Sequence, residues 1–368
     1  MRSPNQTYIP AIDHLRGLAV LLIIYYHGLH IFSYSERFQR PFSFENWLQT
    51  DNFFLSALIE GHTAVAFFMV LSGFIFTYGS LDKTVDYKGF VVNRLLRTYP
   101  LFILLLFTGI YAFPDSFQWD RFLLTLFALG NIQGGMDLHS FSSMFWAIAV
   151  EWQFYLLFPL LLKILQKEGV GAILGLIAVF LLMRALALFE GANIRDLSYW
   201  TIIGRMDQFL LGMLIGAMHV RGVLSEKALK MLFPVVFLMV CLILHLFHKA
   251  GGWPDISAFK LIWPTIEGAG WAIFILSYIQ FAQLIPSRLS QVLVAIGVIS
   301  YSLYLIHFTV ITICLKEGWL PFAEGSPVAN ALANTTLVVL PVVFVVSAFT
   351  YRFIEKPFLN MRIKYHRD

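Results

Sequence analysis

Charge is what this 368-residue chain has least of: Asp, Glu, Lys and Arg together make up 13%, about half the share of an ordinary soluble domain. Its two cysteines, Cys241 and Cys314, stand apart in apolar runs without a Cys-x-x-Cys or a Cys/His cluster nearby. That excludes a disulfide scaffold, and no metal site is expected. No low-complexity stretch, internal repeat or polar linker interrupts the chain, so a single domain over 1–368 is expected. The formal net charge of +4 is too small to argue for nucleic acid as a partner.

Apolar residues fill the space left by charge. They make up 58% of the chain, aromatic residues 16%, and the mean hydropathy is +0.73. These values define a polytopic, all-α transmembrane helix bundle in contact with membrane lipids. Apolar segments of spanning length fall at 12–33, 61–79, 99–113, 144–163, 170–189, 201–220, 231–248, 262–284, 295–315 and 331–351. A shorter run at 121–135 reads as a re-entrant or interfacial helix, which leaves about ten spans. With both termini cytoplasmic, Arg94, Arg97, Lys163, Lys167, Lys227, Lys230, Arg362 and Lys364 lie inside. The outer side then keeps about half as many basic residues as the inner, the positive-inside asymmetry. The first apolar run contains Arg16 and lacks a small-residue cleavage site, so it is expected to remain as a span.

That first span, Asp13 to His27, carries an arginine near one end and a histidine near the other. Ionisable groups in such a segment are costly and ask for a reason. Arg16 and His27 are separated by three helical turns plus about 20°, so they share one stripe, about 16 Å apart along the axis. Asp13, one turn before Arg16, can pair with it. A snorkelling arginine and a structural histidine would fit; so would a polar seam from one membrane face past the midplane.

Other spans carry polar groups toward the same interior. The second starts at Gly61-His62-Thr63 and reaches Ser72-Gly73, where small residues permit close approach by a helix or a ligand. Arg94 and Arg97 share a helix face before Pro100, as membrane anchors or as a clamp for phosphates. Glu151 lies about two turns into the fourth span, with Tyr155 one turn on, and is expected at the depth of His27. A Glu–His pair could set imidazole basicity, or be purely structural. Arg205 and Asp207 open the sixth span, too close in sequence to face each other. Tyr301, Tyr304 and His307 form a drifting stripe on a later helix.

In order along the chain, Asp13-x-Leu15-Arg16-Gly17 with His27, Phe67-Phe68-x-x-Leu71-Ser72-Gly73-Phe74, Arg94-x-x-Arg97-x-x-Pro100, Trp146 with Glu151-x-Gln153-Phe154-Tyr155, Gly204-Arg205 with Gly212, Ser300-Tyr301-Ser302-Leu303-Tyr304-Leu305-x-His307 and Glu355-Lys356-Pro357 resemble the membrane-bound acyltransferase 3 family. The resemblance runs from about residue 9 to residue 358. It departs from the family pattern at His14, Ala66 and Ala149.

The resemblance implies an acyltransferase in the bacterial inner membrane. It would move an acyl group, commonly acetyl, from cytoplasmic acyl-CoA to a carbohydrate or lipid-linked glycan acceptor. Acyl-CoA would be a co-substrate, with no permanently bound cofactor. It assigns Arg16 and His27 to the arginine–histidine motif and Arg94 and Arg97 to the paired-arginine motif. On this basis His27, Glu151 and Arg16 are the expected catalytic groups. Arg16, Arg94, Arg97, Ser72 and Gly73 would meet the donor; Tyr155, Arg205, Asp207 and His62 would meet the acceptor. Asp13, Tyr301, Tyr304 and His307 would support them. No hydrolase-like domain is expected after the last span, unlike longer two-domain members. A transporter using the same seam is the competing class, disfavoured by the lack of a recognisable inverted repeat.

Overall fold

Local signals start the helices where apolar runs begin. Pro10 opens α1 (Pro10–Phe38), while the Asp86 side chain accepts from the Gly89 N–H and caps α3 (Tyr87–Ala112); α2 (Gly61–Ser80) lies between them. Gly169, at φ 78°, turns α4 (Phe145–Glu168) into α5 (Val170–Phe189). Thr201 caps α6 (Ile202–Val220) and Ser225 caps α7 (Glu226–Lys249). Then come α8 (Trp263–Phe281), α9 (Ser300–Lys316) and α10 (Pro327–Leu359), the last with two π-helical turns at Thr335–Val339 and Tyr351–Glu355. The structure, a computed structural model, describes residue 5, residues 7–322 and residues 324–367.

Among the described residues seven helices are long and apolar enough to cross a membrane, and two bent pairs raise the number to nine. The expected tenth span, 262–284, is helical as α8 over 19 residues but is not among those seven helices or the two bent pairs. The run at 121–135 breaks into short helices at Trp119–Leu126 and Gly130–Gln133, too short to cross. Pro100, expected to mark a boundary, lies inside α3, which begins well before it and carries Arg94 and Arg97.

Burial separates an inner set from a lipid-facing one. The most apolar stretch of α2 is 78% buried and that of α1 67%, against 17% for α5. At the centre, α2 packs along α6 through glycines: a Cβ on Gly73 would land on the Phe209 carbonyl, and one on Gly212 on the Val70 carbonyl. Close helix packing therefore accounts for Gly73, which lines neither the cavity around Arg94 and Arg97 nor the one around His27, and the expected donor contact there is corrected. Around α1 lie α9, the start of α10 and a helix at Ser287–Val298 that meets α9 at a 67° bend. His14 bonds Ser290 at 2.9 Å, tying α1 to that helix. The tail after α10 folds back: Ile363 exchanges hydrogen bonds with Asn93, and a two-residue strand β2 (His366–Arg367) pairs with β1 (Thr84–Val85).

Candidate active site

One end of the bundle holds an arginine cavity of about 250 Å³, lined by Arg16, Arg94, Arg97 and Arg362 together with Asp13, Ser72, Glu151, Tyr155 and Tyr301. Four guanidinium groups thus face two carboxylates. Arg16 lies 3.6 Å from Asp13, which accepts from the Tyr8 hydroxyl. Arg97 donates to Glu355 at 3.0 Å, and Ser302 donates to the other oxygen of that carboxylate. Even so, Arg97 Nη2 and Arg94 Nε are buried without a partner among the described residues. Arg94 is further held over the Phe76 ring at 4.8 Å, and Arg97 over Tyr301 at 5.3 Å. The first turn of α9 lines the same space through Ser300 and Tyr301, and its backbone N–H groups favour an anion.

Arg362 enters this cavity from the tail. Burial, then the charges of Arg97 and Arg94, pull its guanidinium down to about 10, and it stays protonated at neutral pH. Positive charges crowded and partly unpaired in this way suit an incoming polyanion. In sequence Arg362 is only a topology signal, because its approach to Arg94 depends on the fold-back of the tail.

Deeper in the bundle lies a second cavity of about 280 Å³, lined by His27, His30, Tyr26, Trp146, Tyr199, Trp200 and Trp253 among others. His27 Nδ1 and His307 Nε2 are 2.9 Å apart. The far nitrogen of His307, Nδ1, is 3.0 Å from the Leu303 carbonyl, which can only accept. His307 Nδ1 therefore carries the proton and, in the neutral ring, its Nε2 accepts from His27 Nδ1–H. That leaves the lone pair of His27 on Nε2, the state a general base needs.

The expected Glu151–His27 pair is not formed. Glu151 accepts from Ser72 at 2.9 Å in the arginine cavity, and the partner of the imidazole is His307. Tyr155, expected on the acceptor side, also lines the arginine cavity, within cation–π reach of Arg94. Arg205 and Asp207 turn to different partners, as their spacing required. Asp207 is consumed by Arg184 at 2.8 Å and Thr265 at 2.5 Å, wholly buried and away from both cavities, so its expected acceptor role is corrected. Arg184 was legible, a lone charge within the apolar span α5. Arg205 sits 3.4 Å from Glu267 and, with His62, lines a niche of about 20 Å³ that shares Tyr199 and Trp253 with the imidazole cavity.

Next to the niche through His62, Glu60 accepts from Trp47 at 2.9 Å, His248 at 2.7 Å and His62 at 3.0 Å. Burial pushes its carboxyl up, but the bonds from His248 and His62 outweigh that and bring it down to about 2. Nearby Lys260, buried, is pulled down to about 8 and donates to the Gly252 and Trp253 carbonyls. Among the described residues no three His, Cys, Asp or Glu side chains are placed to hold a metal ion.

The arginine and histidine cavities abut. Val65 and Tyr304 line both, and the Tyr304 hydroxyl is buried without a partner among the described residues. Fold and cavities together define a multi-pass membrane protein in which an anion-attracting chamber backs onto a histidine chamber.

The chain belongs to the acyltransferase 3 family, whose model, described as an acyltransferase domain, matches residues 9–352. A Staphylococcus aureus (strain COL) protein provisionally named an O-acetyltransferase is 25% identical over 97% of this chain and 58% of its own length. A Bacillus subtilis (strain 168) protein provisionally named a peptidoglycan O-acetyltransferase is 25% identical over 97% of this chain and 56% of its own. The acyltransferase MdmB of Streptomyces mycarofaciens is 25% identical over 97% and 93%. The chain thus spans under two thirds of the first two relatives. No solved structure matches it significantly.

Proposed function

We propose that this protein is an integral membrane O-acyltransferase that moves an acyl group, acetyl in the simplest case, from acyl-CoA to a hydroxyl of a carbohydrate-type acceptor. The observation that carries this reading is the contact between the two cavities across Val65 and Tyr304. Donor phosphates rest against Arg16, Arg94, Arg97 and Arg362, and the acyl arm extends toward His27, a distance of about 16 Å along α1. His27 Nε2 takes the proton of the acceptor hydroxyl, with His307 fixing the tautomer. Tyr26, Trp146, Tyr199, Trp200 and Trp253 offer ring faces and edges for a sugar. The names of the Staphylococcus and Bacillus relatives support an O-acetyl product, and the latter a glycan acceptor.

The charge asymmetry of the loops favours the arginine end as cytoplasmic, with both termini on that side of a bacterial inner membrane and the whole chain acting as one unit. Donor and acceptor then approach from opposite faces. The test is labelled acetyl-CoA given to purified protein: release or transfer of acetate is expected, abolished in His27→Ala while the protein stays folded. Wild-type turnover in His27→Ala would end the general-base assignment; solute flux without acyl turnover would favour a transporter.

A further inference from the structure

We infer that the Tyr304 hydroxyl is a hydrogen-bond donor to the thioester carbonyl oxygen as transfer occurs, an inference that rests on the acyl-CoA reading above. Buried phenols normally find a partner, because an unmade hydrogen bond in an apolar setting is costly. Tyr301, one turn earlier on α9, obeys the rule and donates to the Thr98 carbonyl at 2.7 Å. Tyr304 is 7% exposed, and its hydroxyl has no partner among the described residues.

An orphaned phenol alone would mean little, since Tyr34 has one too and lines neither cavity. Position separates them. Tyr304 stands in the wall common to both cavities, beside apolar Val65 and with its ring 6.0 Å from that of Phe68. It also lies one turn before His307, with ring centroids 6.0 Å apart, on the helix that orients His27. A thioester passing from the arginine cavity toward His27 must present its carbonyl at this wall.

During transfer the acceptor oxygen bonds to the carbonyl carbon, and the carbonyl oxygen gains negative charge. The acceptor proton goes to His27 Nε2. The carbon–sulfur bond then breaks, and the CoA sulfur leaves with the electron pair and takes that proton. Tyr304 stabilises the charged oxygen and is unchanged at the end, as an oxyanion donor is in other acyl transfers.

The experiment is Tyr304→Phe in the full chain, purified in detergent, with labelled acetyl-CoA as donor and water as acceptor. The expected result is a kcat lowered by about 10²-fold, KM within about twofold, and a thermal midpoint equal to or above wild type, because only an unpaired hydroxyl has gone. A kcat within twofold of wild type overturns the assignment. So does a fall in thermal midpoint that accounts for the lost activity, since the hydroxyl would then be structural. If His27→Ala is inactive while Tyr304→Phe is not, only this inference fails. A wild-type protein that leaves acetyl-CoA intact sinks the acyl-CoA reading and this one together.

Discussion

His27 and Glu151 are ionisable groups set in apolar stretches of their helices, yet the bundle gives them different company. His27 meets a second imidazole whose own tautomer is set by the Leu303 carbonyl; Glu151 meets a serine beside the arginines. Sequence spacing put them at similar depth but could not say which side of the Val65–Tyr304 wall each would occupy. Glu60, which no motif highlighted, is the most heavily bonded carboxylate of the histidine end. Glu60→Gln replaces the charged acceptor shared by Trp47, His62 and His248 with a neutral amide and is expected to cost on the order of 3 kcal/mol, read by thermal unfolding. Because the Glu60 carboxyl titrates at about 2 when folded, below its ordinary 4.5, its contribution is complete above pH 4.5 and disappears as pH falls through about 2. The midpoint difference between wild type and Glu60→Gln should therefore shrink on acidification below pH 4.5.

At the scale of elements, the decisive contact is α2 on α6. Gly73 and Gly212 let the two backbones approach until a Cβ would strike a carbonyl. Gly212→Ala is expected to destabilise by about 1–3 kcal/mol through overpacking, measured as a lower thermal midpoint in detergent. Gly175 on α5, with nothing within 4 Å of its would-be Cβ, is the contrast: Gly175→Ala should stabilise by up to about 1 kcal/mol. Equal effects at the two sites would refute the packing argument. The bend between Ser287–Val298 and α9 has a different consequence, since it starts a fresh helix at Ser300 and brings its N-terminal turn to the arginine cavity. The apolar run at 295–315 reads in sequence as one span across that break.

For the whole molecule, the arginine cavity closes only when both ends of the chain meet. Arg16 comes from the first span and Arg362 from the tail, which Asn93 and the β1–β2 pair hold in place. Arg362→Ala is expected to raise the KM for acetyl-CoA by about three- to tenfold, the loss of one charge-assisted contact of about 1 kcal/mol, with kcat little changed. An unchanged KM would remove Arg362 from the donor site. Composition alone established a polytopic helical membrane protein, because burying so much apolar surface with so little charge has no other solution in this chain. Helical periodicity likewise brought Arg16 and His27 onto one stripe, since that relation lies within a single element. Partners were decided by tertiary structure alone: His307 for His27, Arg184 for Asp207, helix backbone for Gly73. A helix specifies which of its own residues share a face, but what that face meets depends on other helices, here from 23 to 280 residues away in the chain.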